Sequence, residues 1–211
     1  MKLPRRFSLS LGALALGSSF LFTACQNAPE ASEIPALAEA HDAAFVPVAE
    51  RRTNGIMEQL DLANPQRAAL VQRYVLNFML ETKAVNEGMD APEDVKHPLL
   101  VDARETLYAG FEAASLTEEE RLVILNGLSA NHYRINCDAF EELVPNLTEE
   151  EKQYIHEQFA DVTHEAILLN SGREKAELFI ERRGRINNYL SRRGYDLKAL
   201  SEARNARIKG N

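Results

Sequence analysis

Leu147-Thr148-Glu149-Glu150-Glu151 opens the stretch that decides the fold, and Lys152-Gln153-Tyr154-Ile155-His156-Glu157-Gln158-Phe159 continues it. A Thr at a helix start offers its side-chain oxygen to a first-turn N–H. The Glu three residues on reaches back to the cap's own N–H. All three carboxylates stand where the helix dipole favours negative charge. Ile155, Phe159, Val162, Ala166 and Leu169 then recur along one helical face. The same opening occurs earlier as Leu116-Thr117-Glu118-Glu119-Glu120, followed by Leu125, Leu128, His132, Ile135 and Ala139 as one stripe. Pro145-Asn146 separates the two.

Outward from this pair, helix signals continue. Asn64-Pro65 is a helix start, because Asn caps and Pro loses nothing in the first turn. Leu70, Val71, Tyr74, Val75, Phe78, Thr82 and Val85 follow on one face, and Gly88 to Lys96 reads as a loop. His97 to Ala114 resumes with Leu100, Ala103, Leu107 and Phe111. Arg51 to Leu60 is a weaker helix interrupted by Gly55. After Ser171-Gly172, a helix runs from Arg173 to Arg193 and stops at Gly194, a residue suited to a left-handed C-terminal cap. A short helix from Leu197 to Arg207 ends the chain. No strand alternation is present. The expected fold class is all-α: an antiparallel bundle of four to six helices over residues 49–211.

Residues 1–24 read as a signal peptide. Lys2, Arg5 and Arg6 precede an apolar run from Phe7 to Phe22, then Leu21-Phe22-Thr23-Ala24-Cys25. That order resembles the lipobox of bacterial lipoproteins. The resemblance implies cleavage before Cys25 and lipidation of its sulfur, hence the palmitate of a membrane anchor. Phe22 is atypical for its position, and plain secretion with cleavage nearby is the alternative. Residues 25–48, rich in Ala, Glu and Pro, read as a flexible linker. Localisation is expected at the bacterial cell envelope, exported and lipid-anchored.

Beyond Cys25 the chain has one other cysteine, Cys137, which an apolar helical context marks as a core residue rather than a nucleophile. Acidic residues outnumber basic ones, 32 to 24, which argues against nucleic acid as a partner. The excess is uneven. From Gly172 onward there are eleven Lys/Arg and five Asp/Glu, so a basic arm accompanies an acidic body. His132 reads as a core histidine. His164 shares a face with Glu157 and Asp161, and His156 lies on the same helix, but no Glu-x-x-His pairs supply a second helix of ligands. No metal, cofactor or catalytic residue is expected.

The basic arm carries the candidate ligand surface. Phe179, Ile186 and Leu190 define its buried stripe. Arg182, Arg183 and Arg193 lie close to that stripe and are expected to meet acidic neighbours. Arg185, Asn188, Tyr189 and Arg192 are the residues placed to meet a ligand, Tyr189 with an aromatic face for a sugar or cation. Gly184 and Asn187 are poor helix formers. A tight helix crossing at Gly184, with Asn187 bonding a neighbouring backbone, is the expected reason for them.

Gly184-Arg185-Ile186-Asn187-Asn188-Tyr189-Leu190-Ser191, Gly194-Tyr195-Asp196-Leu197 and Pro145-Asn146-Leu147-Thr148-Glu149 together resemble an uncharacterised bacterial family, domain-of-unknown-function family 3826. The likeness is firm from Ala130 to Lys198. The family's Gly-Ser-Ser-Lys-Glu-Lys-like turn is matched in part by Asn170-Ser171-Gly172-Arg173-Glu174-Lys175. The resemblance implies an exported helical protein without an established activity, of a kind met near polysaccharide-degradation systems. The Leu-Thr openings also resemble those of Spy-like periplasmic chaperones, without their Gln. The expected function is therefore a non-enzymatic binding or accessory module for an anionic glycan or an envelope protein. A polysaccharide hydrolase or lyase and a Spy-like chaperone are the alternatives.

Overall fold

A computed structural model describes residues 43–209. The expected signal peptide, Cys25 and nearly all of the linker lie outside the described residues. Those described form eight helices and no strand: α1 (Val46–Met57), α2 (Pro65–Lys83), α3 (Glu93–Ala113), α4 (Glu118–Leu128), α5 (His132–Leu143), α6 (Glu149–Ala166), α7 (Gly172–Arg192) and α8 (Leu197–Lys209). A π turn, Ala84–Gly88, extends the end of α2. The all-α class stands, with more helices than the four to six expected.

The extra helices have identifiable causes. The stripe from Leu125 to Ala139 was expected on one helix, but the chain breaks at Ala130 and Asn131, which take left-handed φ values of 58° and 62°. Neither Gly nor Pro marks the break. Buried Asn126 holds it: its Nδ2 donates to Asn131 Oδ1 at 3.0 Å, and its Oδ1 accepts from Arg134 N at 3.1 Å. The break rotates the stripe, so Asn136, Cys137 and Phe140 face inward and Ile135 is 51% exposed. α3 also begins at Glu93, inside the expected loop. Pro92 is its cap, and Glu93 and Asp94 suit its positive end. α1 runs through Gly55 and begins before residue 49.

The core is two adjoining clusters. One gathers α1 to α4 around Val75, Leu107, Phe111 and Ile124. The other gathers α5 to α7 around Ile155, Phe159, Phe179 and Ile186, with α8 against α5 and α7. Phe159 lies with its ring centroid 5.9 Å from Phe179 and 5.8 Å from Phe140. The seam is crossed by α4 packing on α6. It is also crossed by Ile167 and Leu168, which leave the end of α6 and bury themselves in the first cluster.

The basic arm docks on the acidic body. Arg182 pairs with Asp161 at 2.6 Å and Arg204 with Glu142 at 2.7 Å, while Arg193 pairs with Glu150. Arg183 departs from expectation, donating to Asn136 Oδ1 rather than to a carboxylate. Glu151 is nearly closed to solvent. It completes the α6 capping box, accepts from Tyr195 Oη at 2.7 Å and lies 3.7 Å from Arg193. Burial pushes its carboxyl up, but the bonds from Thr148 and Tyr195 outweigh that and hold it below the usual range.

No tight crossing occurs at Gly184, where an added Cβ would meet open space, and Asn187 is exposed. The close approaches lie elsewhere. A Cβ at Gly110 would overlap the Tyr74 ring across α2 and α3, and one at Gly127 would overlap Ile56 across α1 and α4. Because the Tyr74 atoms involved are the rigid root of the ring, relief requires moving a helix. Gly110→Ala is expected to cost about 1–3 kcal/mol, the usual range for overpacking. Gly184→Ala should add stability by about 1 kcal/mol, the difference in helix propensity. Urea denaturation of both variants checks the pair, and equal effects would contradict this packing.

Candidate functional site

The four residues singled out on the arm lie on or beside the open face of α7. Arg185 is exposed and pairs with Glu181 at 3.4 Å. Asn188 and Arg192 are exposed and make no side-chain hydrogen bond or ion pair among the described residues. Tyr189 stacks on Tyr154 with centroids 3.8 Å apart, and Arg193 stands 4.8 Å over its ring. Its aromatic surface is therefore engaged within the molecule. None of the four lines the clefts described below.

A different cluster gathers at the seam between the two cores. A cavity of about 440 Å³ is bounded by α1, the end of α2, the α4–α5 turn, the segment after α6 and the first turn of α7. Arg52, Lys83 and Lys175 reach it, together with the amides of Gln59, Asn86 and Asn131. No Asp or Glu of the described residues lines it.

The three cations differ in their partners. Lys83 is paired with Glu87 and stands 5.1 Å over the Phe45 ring. Glu87 is also bonded by Asn170, and these bonds hold its carboxyl below the usual range. Lys175 has one hydrogen bond, from Nζ to the carbonyl oxygen of Leu128 at 2.7 Å. Burial, and then the charge of Arg52, press its amine down to about 8. Arg52 makes no hydrogen bond or ion pair among the described residues. Two cations thus face one cavity without a carboxylate to offset them.

The turn that closes the cavity is strained. Ala130 and Asn131 both line it in left-handed backbone, which costs an Ala about 1–2 kcal/mol. Strained residues that a surrounding network over-determines recur at binding sites. Opposite the turn, the π turn is braced: Asn86 Nδ2 donates to Leu168 O at 3.2 Å and Lys96 Nζ donates to Asn86 O at 3.1 Å.

The histidines are tied to tyrosines. His164 Nδ1 meets Tyr108 Oη at 2.5 Å, and His156 Nδ1 meets Tyr133 Oη at 2.7 Å. Burial, and then Arg104, hold His164 below its ordinary value. His132 rests against Phe179, with centroids 5.4 Å apart. Cys137 is buried, and burial raises its thiol to about 12. Among the described residues no group of three His, Cys, Asp or Glu stands together as metal ligands, and no helix is long and apolar enough to cross a membrane.

Sequence reasoning missed this pocket because its cations come from distant segments. Arg52 lies on α1, Lys83 at the end of α2 and Lys175 on α7. The one available signal was the Asn170–Lys175 turn, a partly matched motif without an assigned role.

These features define an all-helical, two-core bundle with a cationic pocket at the seam. The family model described as "Protein of unknown function (DUF3826)" matches residues 80–210, and the chain belongs to that family. No curated protein matches it. The matched segment includes Lys83 and Lys175 and excludes Arg52.

The perturbed amine gives a pH signature. The Lys175 value lies below the ordinary lysine value of 10.5, so the unfolded chain binds more protons between about 8 and 10.5. Stability from this group therefore rises with pH across that window and is penalised below it. Relative to a Lys175→Met variant, the parent chain should gain stability from pH 8 to 10.5. Parallel stability curves in paired urea titrations would remove the burial of this amine as a factor.

Proposed function

We propose that this protein is a lipid-anchored, non-enzymatic binding module of the bacterial cell envelope, and that it takes an acidic saccharide in the seam pocket. The observation that supports this most is Arg52 and Lys175 facing one cavity whose wall holds no carboxylate. Like charges held together in a half-buried site disfavour each other. A carboxylate entering between them relieves that repulsion and gains charge-assisted hydrogen bonds. The surrounding amides of Asn86 and Asn131 and the hydroxyl of Thr82 match ring hydroxyls. The cavity is in the range of small-ligand sites, about 300–1,000 Å³.

The anchor follows from the Lys2–Cys25 order and places this pocket at a surface rich in glycans. Cys25→Ala should move the protein from the membrane fraction to the soluble fraction and abolish fatty-acid labelling. Retention of label in that variant would remove the anchor.

For the pocket, the expected result is measurable binding of digalacturonic acid by the purified chain and little binding of the corresponding neutral disaccharide. Arg52→Ala should weaken it about tenfold or more, the loss of one charge-assisted bond of about 1.5–3 kcal/mol. An Arg185→Ala/Arg192→Ala double variant should bind as the parent does. Loss in the double variant with no loss in Arg52→Ala would move the site to the open face of α7.

A polysaccharide-acting hydrolase or lyase is the second reading. Glu93, Glu165, Glu174 and His97 line a neighbouring cleft, and acid–base catalysis needs such groups together. Release of new reducing ends from acidic polysaccharides on long incubation would favour it.

A further inference from the structure

The seam pocket has a neighbour. A second cleft of about 730 Å³ lies between α3 and the start of α7, and the two share Asn86, Leu169 and Asn170 as a common wall. That wall is a saddle formed by the π turn and the segment after α6. Asn86 bonds Leu168 O at 3.2 Å and Asn170 bonds Glu87 at 2.6 Å, so the saddle is cross-braced. The Asn170–Lys175 turn sits on it, with successive side chains going to opposite sides: Glu174 lines the far cleft and Lys175 the near pocket.

The two sides differ in charge. The near pocket has Arg52, Lys83 and Lys175 and no acid on its wall. The far cleft sets Glu93, Glu165 and Glu174 against Lys96, Arg104 and His97. A carboxylate is attracted to the first and gains less in the second, where three acids offset the cations. Each cavity has the size of a whole small-ligand site, about 300–1,000 Å³. The pair in series is longer than one sugar needs.

We infer that the two clefts are one track across the saddle, and that its ligand is an oligosaccharide with an acidic unit at one end and a neutral, hydroxyl-rich body. The acidic unit sits between Arg52 and Lys175. The neutral units cross Asn86 and Asn170 into the far cleft, where Arg104, His97 and the carboxylates meet hydroxyls. A uniform polyanion fits poorly, because its later carboxylates meet Glu93, Glu165 and Glu174. This inference rests on the acidic-saccharide reading of the near pocket and adds the far cleft and the charge pattern of the ligand.

Calorimetric titration of the purified chain with six probes tests it: aldobiouronic acid, aldotetraouronic acid, digalacturonic acid, tetragalacturonic acid, xylotetraose and an acidic tetrapeptide. Aldotetraouronic acid should bind at least about tenfold tighter than aldobiouronic acid. Tetragalacturonic acid should show no such gain over digalacturonic acid, and xylotetraose should bind weakly. His97→Ala, an exposed change in the far cleft, should erase the gain while leaving aldobiouronic acid unaffected. Arg52→Ala should weaken both aldouronic acids. Equal binding of the two aldouronic acids, with both still sensitive to Arg52→Ala, overturns the track and leaves the near pocket standing. Failure of every acidic probe removes the near-pocket reading and the track with it. An acidic tetrapeptide that binds as tightly as aldotetraouronic acid overturns the saccharide class.

Discussion

The buried amide of Asn126 is the constraint on which the rest of the structure depends. It donates to Asn131 and accepts from the Arg134 backbone, and the Asn126 carbonyl accepts from Asn131 N at 2.8 Å. These bonds let Ala130 and Asn131 adopt left-handed backbone that their side chains alone disfavour. Without that turn, α4 would run straight into α5 and the chain would have one long helix in place of two. The turn also leaves the Leu128 carbonyl free to receive Lys175 across the seam. A buried amide with both of its functions satisfied thus links secondary structure, the join between two cores and the wall of the pocket.

Electrostatics explains why the seam is distinct from the remaining surface. Four of the arm's eleven cations pair with carboxylates of the body: Arg182 with Asp161, Arg193 with Glu150, and Arg204 and Arg207 with Glu142. Exposed pairs of this sort contribute little individually, about 0–1 kcal/mol, but they absorb the charge excess that makes the arm conspicuous in sequence. Arg52 and Lys175 are left over at the seam. They come from segments more than a hundred residues apart, Arg52 beside Arg51 on α1 and Lys175 at the start of the basic arm. Their effect arises from lining one cavity together, Lys175 partly buried and Arg52 exposed at its edge.

The arm's sequence signature takes on a structural meaning here. Gly194 is left-handed at φ 97° and turns the chain so that Tyr195 reaches Glu151. Tyr189 stacks on Tyr154. Much of the Gly184–Leu197 motif thereby fastens α7 to α6 and α8. Gly184 itself meets nothing, and neither Gly184 nor Asn187 makes the contact that would account for its presence in the helix.

Local chemistry was legible without coordinates. The twin Thr caps form full capping boxes at Thr117 and Thr148, and Asn64 caps α2 through its side chain, because a cap involves residues within one turn. The all-α class and the buried stripe of Phe179, Ile186 and Leu190 followed from periodicity for the same reason. What sequence did not show depends mostly on residues far apart in the chain: the close approaches at Gly110 and Gly127 and the convergence of Arg52 and Lys175 on one cavity; the break at Ala130 is held locally by Asn126, through an amide that packing buries. Sequence spacing encodes direction along a helix, whereas these features depend on which helix face lands against which. Only the packed tertiary structure decides that.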